Sequence, residues 1–246
     1  METVKSTQKF FAKYGNMTSS LLTPLCRKFY LPDAVTVARA LLGKRLVHQS
    51  PEGTTAGIIV ETEAYAGRDD AACHSYKRQA PSGNHRTNSM FAEGGYAYVY
   101  LIYGMYHCFN IVANVADEPE AVLIRAIEPV EGLALMAKRR GIEFSKSGRC
   151  SDDDLRSLVR ESKKLCSGPG KLCIAMGITR EHDGHDLCRN TPDYKNSSRL
   201  FITKGRTVAD SDIAATPRIN VDYAGEAAAW PYRFVIRESE FLSSKK

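Results

Sequence analysis

Two acids two positions apart, Glu61 and Glu63, stand in the segment Val60-Glu-Thr-Glu-Ala-Tyr65. In an extended strand, residues two apart share a face, so Glu61, Glu63 and Tyr65 would lie together. A positioned carboxylate can take a proton from water and so act as a general base. The strand opens on Gly-Ile-Ile-Val, which implies burial. A buried carboxylate needs a partner or a purpose. A solvated strand edge carrying two acids is the alternative. Arg125 closes the apolar run Ala-Val-Leu-Ile and offers itself as the partner. The two could form a plain buried ion pair, or they could together hold a water and any developing charge.

Between Tyr96 and Phe109 the chain carries seven aromatic side chains in fourteen residues. Tyr96, Tyr98 and Tyr100 alternate as on one face of a strand. Tyr103-Gly-Met105-Tyr106 reads as a turn with large apolar groups at its tip. Flat rings beside an insertable tip point to nucleobases as the partner. His74, after Ala-Ala-Cys, could be structural, surface or catalytic. Asn110 ends Tyr-His-Cys-Phe, where a buried amide could bond backbone or read a base edge.

Other clusters are weaker. Glu181-His-Asp-Gly-His-Asp186 is rich in metal-capable groups, but Asp-Gly is a turn signal and the spacing matches no standard zinc or calcium loop. Ser167-Gly-Pro-Gly-Lys171 is partly like a phosphate loop but lacks the Walker spacing and the Ser or Thr after Lys. It is a backbone contact to one phosphate or a simple turn. Lys138-Arg-Arg140 is a solvated helix end or a phosphate contact.

The elements that must hold these residues follow from local signals. Asp33 caps a helix with Val37, Leu41 and Leu42 at helical spacing, and Gly43 closes it. Strands are expected at Arg45–Gln49 and Gly57–Tyr65, joined by a Pro51-Glu-Gly turn. The polar stretch Ala66–Met90 is a long loop, functional or disordered. Strands follow at Tyr96–Tyr103, Cys108–Val115 and Ala121–Ile127. Pro129 is expected to open a helix to Arg140, and Ser151 to cap another through Lys164. A short helix is expected over Gly170–Met176. Strands near Leu200–Thr203, Arg218–Val221 and Arg233–Arg237 end the fold. This is an α+β chain: one domain around a curved, mainly antiparallel sheet with surrounding helices. The basic stretch 1–28 is expected to be a disordered tail, with the domain over 29–240.

Of 246 residues, 43% are hydrophobic and 25% charged, the balance of an ordinary soluble globular protein. No apolar run reaches the roughly 18 residues of a membrane span, and the N-terminus lacks an apolar signal core. Net charge is +6, compatible with a polyanion without demanding one. Seven scattered cysteines without a C-x-x-C pair read as reduced thiols of an intracellular protein.

Taken together, the segments VARALLG (Val37–Gly43), VETEAY (Val60–Tyr65), YVYLIYGMYHCFN (Tyr98–Asn110), VLIRAIEP (Val122–Pro129), LCSGPGKL (Leu165–Leu172) and PRINVDYAGE (Pro217–Glu226) resemble the alkyladenine (3-methyladenine, methylpurine) DNA glycosylase family. The resemblance runs from about Tyr30 to Arg237. It implies a monofunctional enzyme of base excision repair, acting on double-stranded DNA with damaged purines. It further implies Glu63 as general base, Arg125 as its partner in holding water, and the Ile219 carbonyl as a third contact. Tyr65, His74 and Tyr100 are then the walls that stack a flipped base, and Asn110 the gate against guanine's 2-amino group. Tyr103 is the inserted wedge, with Met105 beside it. No metal, cofactor or membrane is expected. The chain is expected to act as a monomer inside the cell, with the DNA. It departs from the mammalian pattern in a longer 75–89 loop and in Asn220, where those members have Gly.

Overall fold

The computed structural model describes residues 22–142, 162–192 and 198–244. Strands β1 (Arg45–Ser50), β2 (Gly53–Tyr65), β3 (Ala97–Ile102), β4 (Tyr106–Ala113), β5 (Glu120–Glu131) and β6 (Arg199–Thr203) form an antiparallel sheet in the order β3-β4-β5-β2-β1-β6. Two further strands, β7 (Ile213–Thr216) and β8 (Arg233–Ile236), join through β8, which also pairs with β2. The sheet therefore forks along β2. Residues 53–58 pair with β1, and Glu61–Glu63 pair with β8.

The fork coincides with a break in register. Ile59 faces Ile127 and Glu61 faces Ala126, so Val60 has no opposite residue; Thr62 faces Ile124, so Arg125 has none either. Such bulges bend a strand and re-aim its side chains. Here Ile59 and the adjacent Val60 both enter the main core. Beyond the bulge Val60 and Ala64 continue on that side, while Glu61, Glu63 and Tyr65 turn to the other.

Three helices whose full extent lies among the described residues back the sheet: α1 (Ala34–Leu41), α2 (Leu133–Arg140) and α3 (Pro169–Met176). The Asp33 side chain accepts from the Thr36 amide at 2.9 Å and caps α1, which buries Ala34, Val37, Ala38 and Leu41. The core combines these with Val99, Phe109, Ile111, Val122 and Ile124. The alternate positions Tyr98 and Val112 form a second cluster with Met90 and Cys73 from the loop after β2. The two clusters are what period-2 alternation requires of a sheet covered on both faces.

Several expectations need correction. Pro129 lies inside β5, opposite Gly57 and beside another register shift, a place where proline is tolerated. The helix starts only after Gly132, at φ 74°; a Cβ there would meet the Thr54 carbonyl at 2.2 Å. Residues Arg218–Val221 are not a strand, because Pro217 ends β7 and Asn220 stands at φ 59°. Residues 22–28 belong to the fold, not to a tail: Leu22 is buried, the Leu25 amide bonds Ile202 at 2.8 Å, and Arg27 bonds Asp186 at 2.8 Å. Residues 1–21 lie outside the described residues, as does the expected helix from Ser151 up to 161; 162–166 are helical. The 66–90 loop holds short turns that Arg68 and Arg78 tie down. Arg68 bonds the Arg78 carbonyl at 3.0 Å, and Arg78 bonds Ser82 at 3.1 Å and Asn88 at 3.3 Å. Among the described residues, no helix is long and apolar enough to cross a membrane.

Helix α3 is anchored at its far end by a histidine relay. His48 Nδ1 lies 2.7 Å from the Met176 carbonyl, which only accepts, so Nδ1 carries the proton. His48 Nε2 then accepts from His182 Nε2 at 3.2 Å, and His182 Nδ1 accepts from the Thr179 amide at 3.1 Å. The chain of bonds is complete only with both rings neutral. Burial lowers the His48 pKa to about 4 against the carbonyl's opposing pull. The unfolded chain thus binds the extra proton between about pH 6.5 and 4, so stability is full above that window and falls as pH drops through it. Urea unfolding at pH 7 and pH 4.5 should show the parent losing on the order of 2–3 kcal/mol more than His48→Gln over that interval.

Candidate active site

Alternation on β3, β4 and β5 carries Tyr98, Tyr100, Cys108, Asn110, Leu123 and Arg125 to the face opposite the main apolar core. There they line a cavity of about 400 Å³ with Tyr65, His74 and Ile219. A cavity of this size suits a small flat ligand. Of the residues singled out in the sequence, Tyr65, His74, Tyr100, Tyr103, Asn110, Arg125 and Ile219 all border it. Glu63 does not. It is fully buried and touches three residues that do.

Those contacts reach both carboxylate oxygens and leave Oε1 a second lone pair. Glu63 Oε2 accepts from the Tyr65 hydroxyl at 2.9 Å and from Arg125 Nη1 at 3.1 Å. Oε1 accepts from the Ile219 amide at 2.7 Å. The Ile219 N–H thus bonds Glu63, a contact separate from the one to water that the resemblance implies for its carbonyl. Burial would lower the Arg125 pKa, but Glu63 and Glu61 outweigh it and raise it, so the guanidinium stays charged. Burial and the Glu63 charge push the Tyr65 hydroxyl well up, so it remains a donor. The solvated-edge alternative for Glu61 and Glu63 is excluded, since both are wholly buried.

The walls are aromatic. The His74 ring lies 4.6 Å from that of Tyr100, edge to face, and its Nδ1 is 2.9 Å from the Tyr98 hydroxyl. Burial, with help from Arg86 and His85, lowers the His74 pKa to about 4 and leaves the ring neutral near pH 7. Asn110 Nδ2 donates to the Tyr98 carbonyl at 3.1 Å, which fixes the side chain in the wall. Tyr65 is backed by Arg218, whose guanidinium carbon lies 4.9 Å from the ring centre. Arg218 is locked in turn by two hydrogen bonds donated to the Asp70 carboxylate, one at 2.8 Å, with both side chains fully buried. Asp70 also accepts from the Ala66 and Ala72 amides, each at 3.0 Å, and so ties the loop that bears His74 to the Ile219 segment.

At the rim, β3 and β4 meet in a tight turn. Tyr103 (φ 54°) and Gly104 (φ 69°) are both left-handed, and the Met105 amide bonds the Ile102 carbonyl at 3.2 Å. This is the form of a type I′ turn, which matches the twist of paired strands. Glycine adopts it freely; tyrosine does not. Tyr103 is 78% exposed and Met105 65%, so the strained residue holds its ring in solvent.

The weaker sequence motifs have structural work. Asp183 accepts from the Val99 amide and from Ser89, each at 2.9 Å, and Asp186 pairs with Arg27. Arg139 braces Ser50 and Glu52 at 3.1 and 2.7 Å. Gly168 precedes α3, and Gly170 packs against the ring of Tyr106.

A sequence profile described as methylpurine-DNA glycosylase (MPG) matches residues 28–240. The chain belongs to the methylpurine-DNA glycosylase family. Its relatives include proteins of Bdellovibrio bacteriovorus (41% identical; 90% of this chain, 99% of the relative), Methanocella arvoryzae (44%; 90% and 96%) and Bacillus cereus strain G9842 (44%; 88% and 97%). Each is provisionally named a 3-methyladenine DNA glycosylase. The family's stretch therefore spans the sheet, the cavity and the exposed turn together. Within it, the reading from residue types did not anticipate Tyr223, which lines the cavity at 72% exposure, or the Asp70–Arg218 brace. The signal for Arg218 is its place within PRINVDYAGE; Asp70, in a polar loop, gives none.

Because Tyr103 is left-handed and exposed, relieving it should stabilise the protein. Tyr103→Asn, a residue tolerant of positive φ, is expected to raise the unfolding free energy in urea by roughly 0.5–1 kcal/mol.

Proposed function

We propose that this chain is a monofunctional DNA glycosylase that rotates damaged purines out of duplex DNA and hydrolyses the N-glycosidic bond, leaving an abasic site. The observation that carries the reading is the buried Glu63–Arg125 pair, 3.1 Å apart, against a cavity walled by aromatic rings. The substrates are the 3-methyladenine, 7-methylguanine, hypoxanthine and ethenoadenine class. The protein works inside the cell, as a monomer on double-stranded DNA, without a metal or cofactor.

A base inside a duplex is out of reach, so it must leave the stack, at a cost of a few kcal/mol that is least for damaged bases. Tyr103 fills the gap and offsets part of that cost, with Met105 beside it. Tyr65 stacks on one side of the flipped base, and His74 with Tyr100 on the other. A neutral His74 lets an electron-poor or cationic ring enter without repulsion, and the aromatic faces favour it by roughly 0.5–2 kcal/mol. Asn110 disfavours the 2-amino group of guanine.

Glu63 takes a proton from a water held with Arg125 near Ile219. The water oxygen bonds to C1′ of the sugar as the bond to the base nitrogen breaks, and that electron pair leaves with the base. The sugar passes through an oxocarbenium-like state, whose positive charge the carboxylate favours. A cationic alkylated purine then departs neutral. Among the described residues no lysine lines the cavity, which supports water over a Schiff-base route.

In a single-turnover assay on hypoxanthine-, ethenoadenine- or methylpurine-containing duplex, followed by alkaline cleavage, the parent should generate abasic sites. Glu63→Gln should lose at least about 10²–10⁴ in rate while binding the lesion duplex within a few-fold of the parent. Robust excision by that variant refutes the role of Glu63. Tyr103→Ser should weaken lesion-duplex binding by about 5–100-fold, the loss of one stacking contact. Unchanged binding and cutting would refute the wedge.

A further inference from the structure

The guanidinium of Arg125 touches Glu63 through Nη1 alone, at 3.1 Å. A long side chain held at one nitrogen can still swing about its Nε bond. The structure supplies the second hold. Arg125 Nε is shared between Glu61 Oε1 at 3.3 Å and Ser243 Oγ at 3.4 Å. The Ser243 hydroxyl, accepting from Arg125, donates to Glu61 Oε1 at 2.8 Å, and the Ser243 amide donates to Glu61 Oε2 at 2.6 Å. One hydroxyl thus uses one lone pair and its one proton, with no conflict.

Ser243 is itself anchored. Arg233 Nε bonds Glu61 Oε1 at 2.7 Å, and Arg233 Nη2 bonds the Ser244 carbonyl at 2.9 Å. Phe241 and Leu242 pack on the main core just before it. Glu61 is fully buried and Arg233 is 2% exposed, so the frame is as rigid as the sheet it stands on. Ser243 lies beyond the stretch 28–240 that matches the family profile.

We propose that Ser243 is a positioning residue which, with Glu61 and Arg233, sets the plane of the Arg125 guanidinium against Glu63 and the cavity. The proposal rests on the glycosylase reading above. Fixing Nε fixes the direction of the fork, and with it where a water between Arg125 and Glu63 can sit. Displacement of a positioned group by about 1 Å can cost on the order of a hundredfold in rate. The clamp acts on the chemical step and not on capture of the lesion, because Ser243 does not border the cavity.

Ser243→Ala and Ser243→Thr test this beside the parent. Single-turnover excision, the dissociation constant for lesion duplex and the melting temperature are measured for each. Ser243→Ala is expected to slow excision about tenfold, with affinity within twofold and melting within a few degrees; Ser243→Thr, which keeps the hydroxyl, is expected to recover most of the rate. An unchanged rate in Ser243→Ala overturns the proposal. So does a loss that tracks affinity or melting, or one that Ser243→Thr does not recover. Hydrogen exchange at the Arg125 Nε–H, followed by NMR in the free protein, reads the clamp without any activity. It should quicken in Ser243→Ala and not in Ser243→Thr, and equal exchange in all three overturns the clamp. A parent that releases no base on any lesion, with exchange as expected, refutes the glycosylase reading and leaves the geometric part standing.

Discussion

Two carboxylates buried on one strand need two cations, and the rest of this fold is arranged around that need. Glu61 and Glu63 are wholly buried on β2; Arg125 from β5 lies within 3.3 Å of both, and Arg233 from β8 lies 2.7 Å from Glu61. Removing four charges from water is costly, and their mutual attraction repays it only with good geometry and further hydrogen bonds. Those bonds come from Tyr65, the Ile219 amide and Ser243. Three strands and two irregular segments therefore have to converge on one point. A core of apolar residues would fill the same space without that desolvation cost.

The convergence depends on breaking the sheet's regularity. Without the bulge at Val60, Ile59 and Glu63 would share a face, and one of the two would be on the wrong side. The unpaired Arg125 opposite has the same origin. The fork in the sheet follows from it, since β8 replaces β1 along β2 where the strand bends. A second brace, Asp70 with Arg218, fixes the irregular chain on the cavity side and stiffens Tyr65 from behind. The turn at Tyr103 adds local strain at the rim. Strain, buried charge and bulge thus collect on one face of the sheet, while the other holds an ordinary apolar core against three helices.

Much of this was legible in the chain. The Asp33 cap, the alternation of Tyr96, Tyr98 and Tyr100, and the pairing of Arg125 with a carboxylate were all readable, because each depends on neighbours in sequence or on the cost of burying charge. The failures have physical causes as well. Pro129 reads as a helix opener, but a register shift beside it lets a strand accept a residue without an N–H. Residues Arg218–Val221 read as a strand, but their polar groups serve Asp70 and Glu63. Leu22 and Leu25 sit in a basic, hydroxyl-rich stretch, and nothing local shows that they pack onto β6. Asn220 holds a left-handed backbone at φ 59° in the segment that borders the cavity.

By itself the sequence determined the class of fold, the family and the faces of its strands. These follow from period, local propensity and motif, all short-range properties. Only the tertiary structure decided which partner each charge has. Glu61 and Glu63 look equivalent two residues apart, yet one is enclosed by Arg233 and Ser243 while the other meets Tyr65, Arg125 and Ile219 beside the cavity. Apart from Tyr65, two residues away, those contacts lie more than sixty residues apart in the chain; a bulge and a forked sheet set them, and electrostatic pairing at that range is a property of the packed molecule.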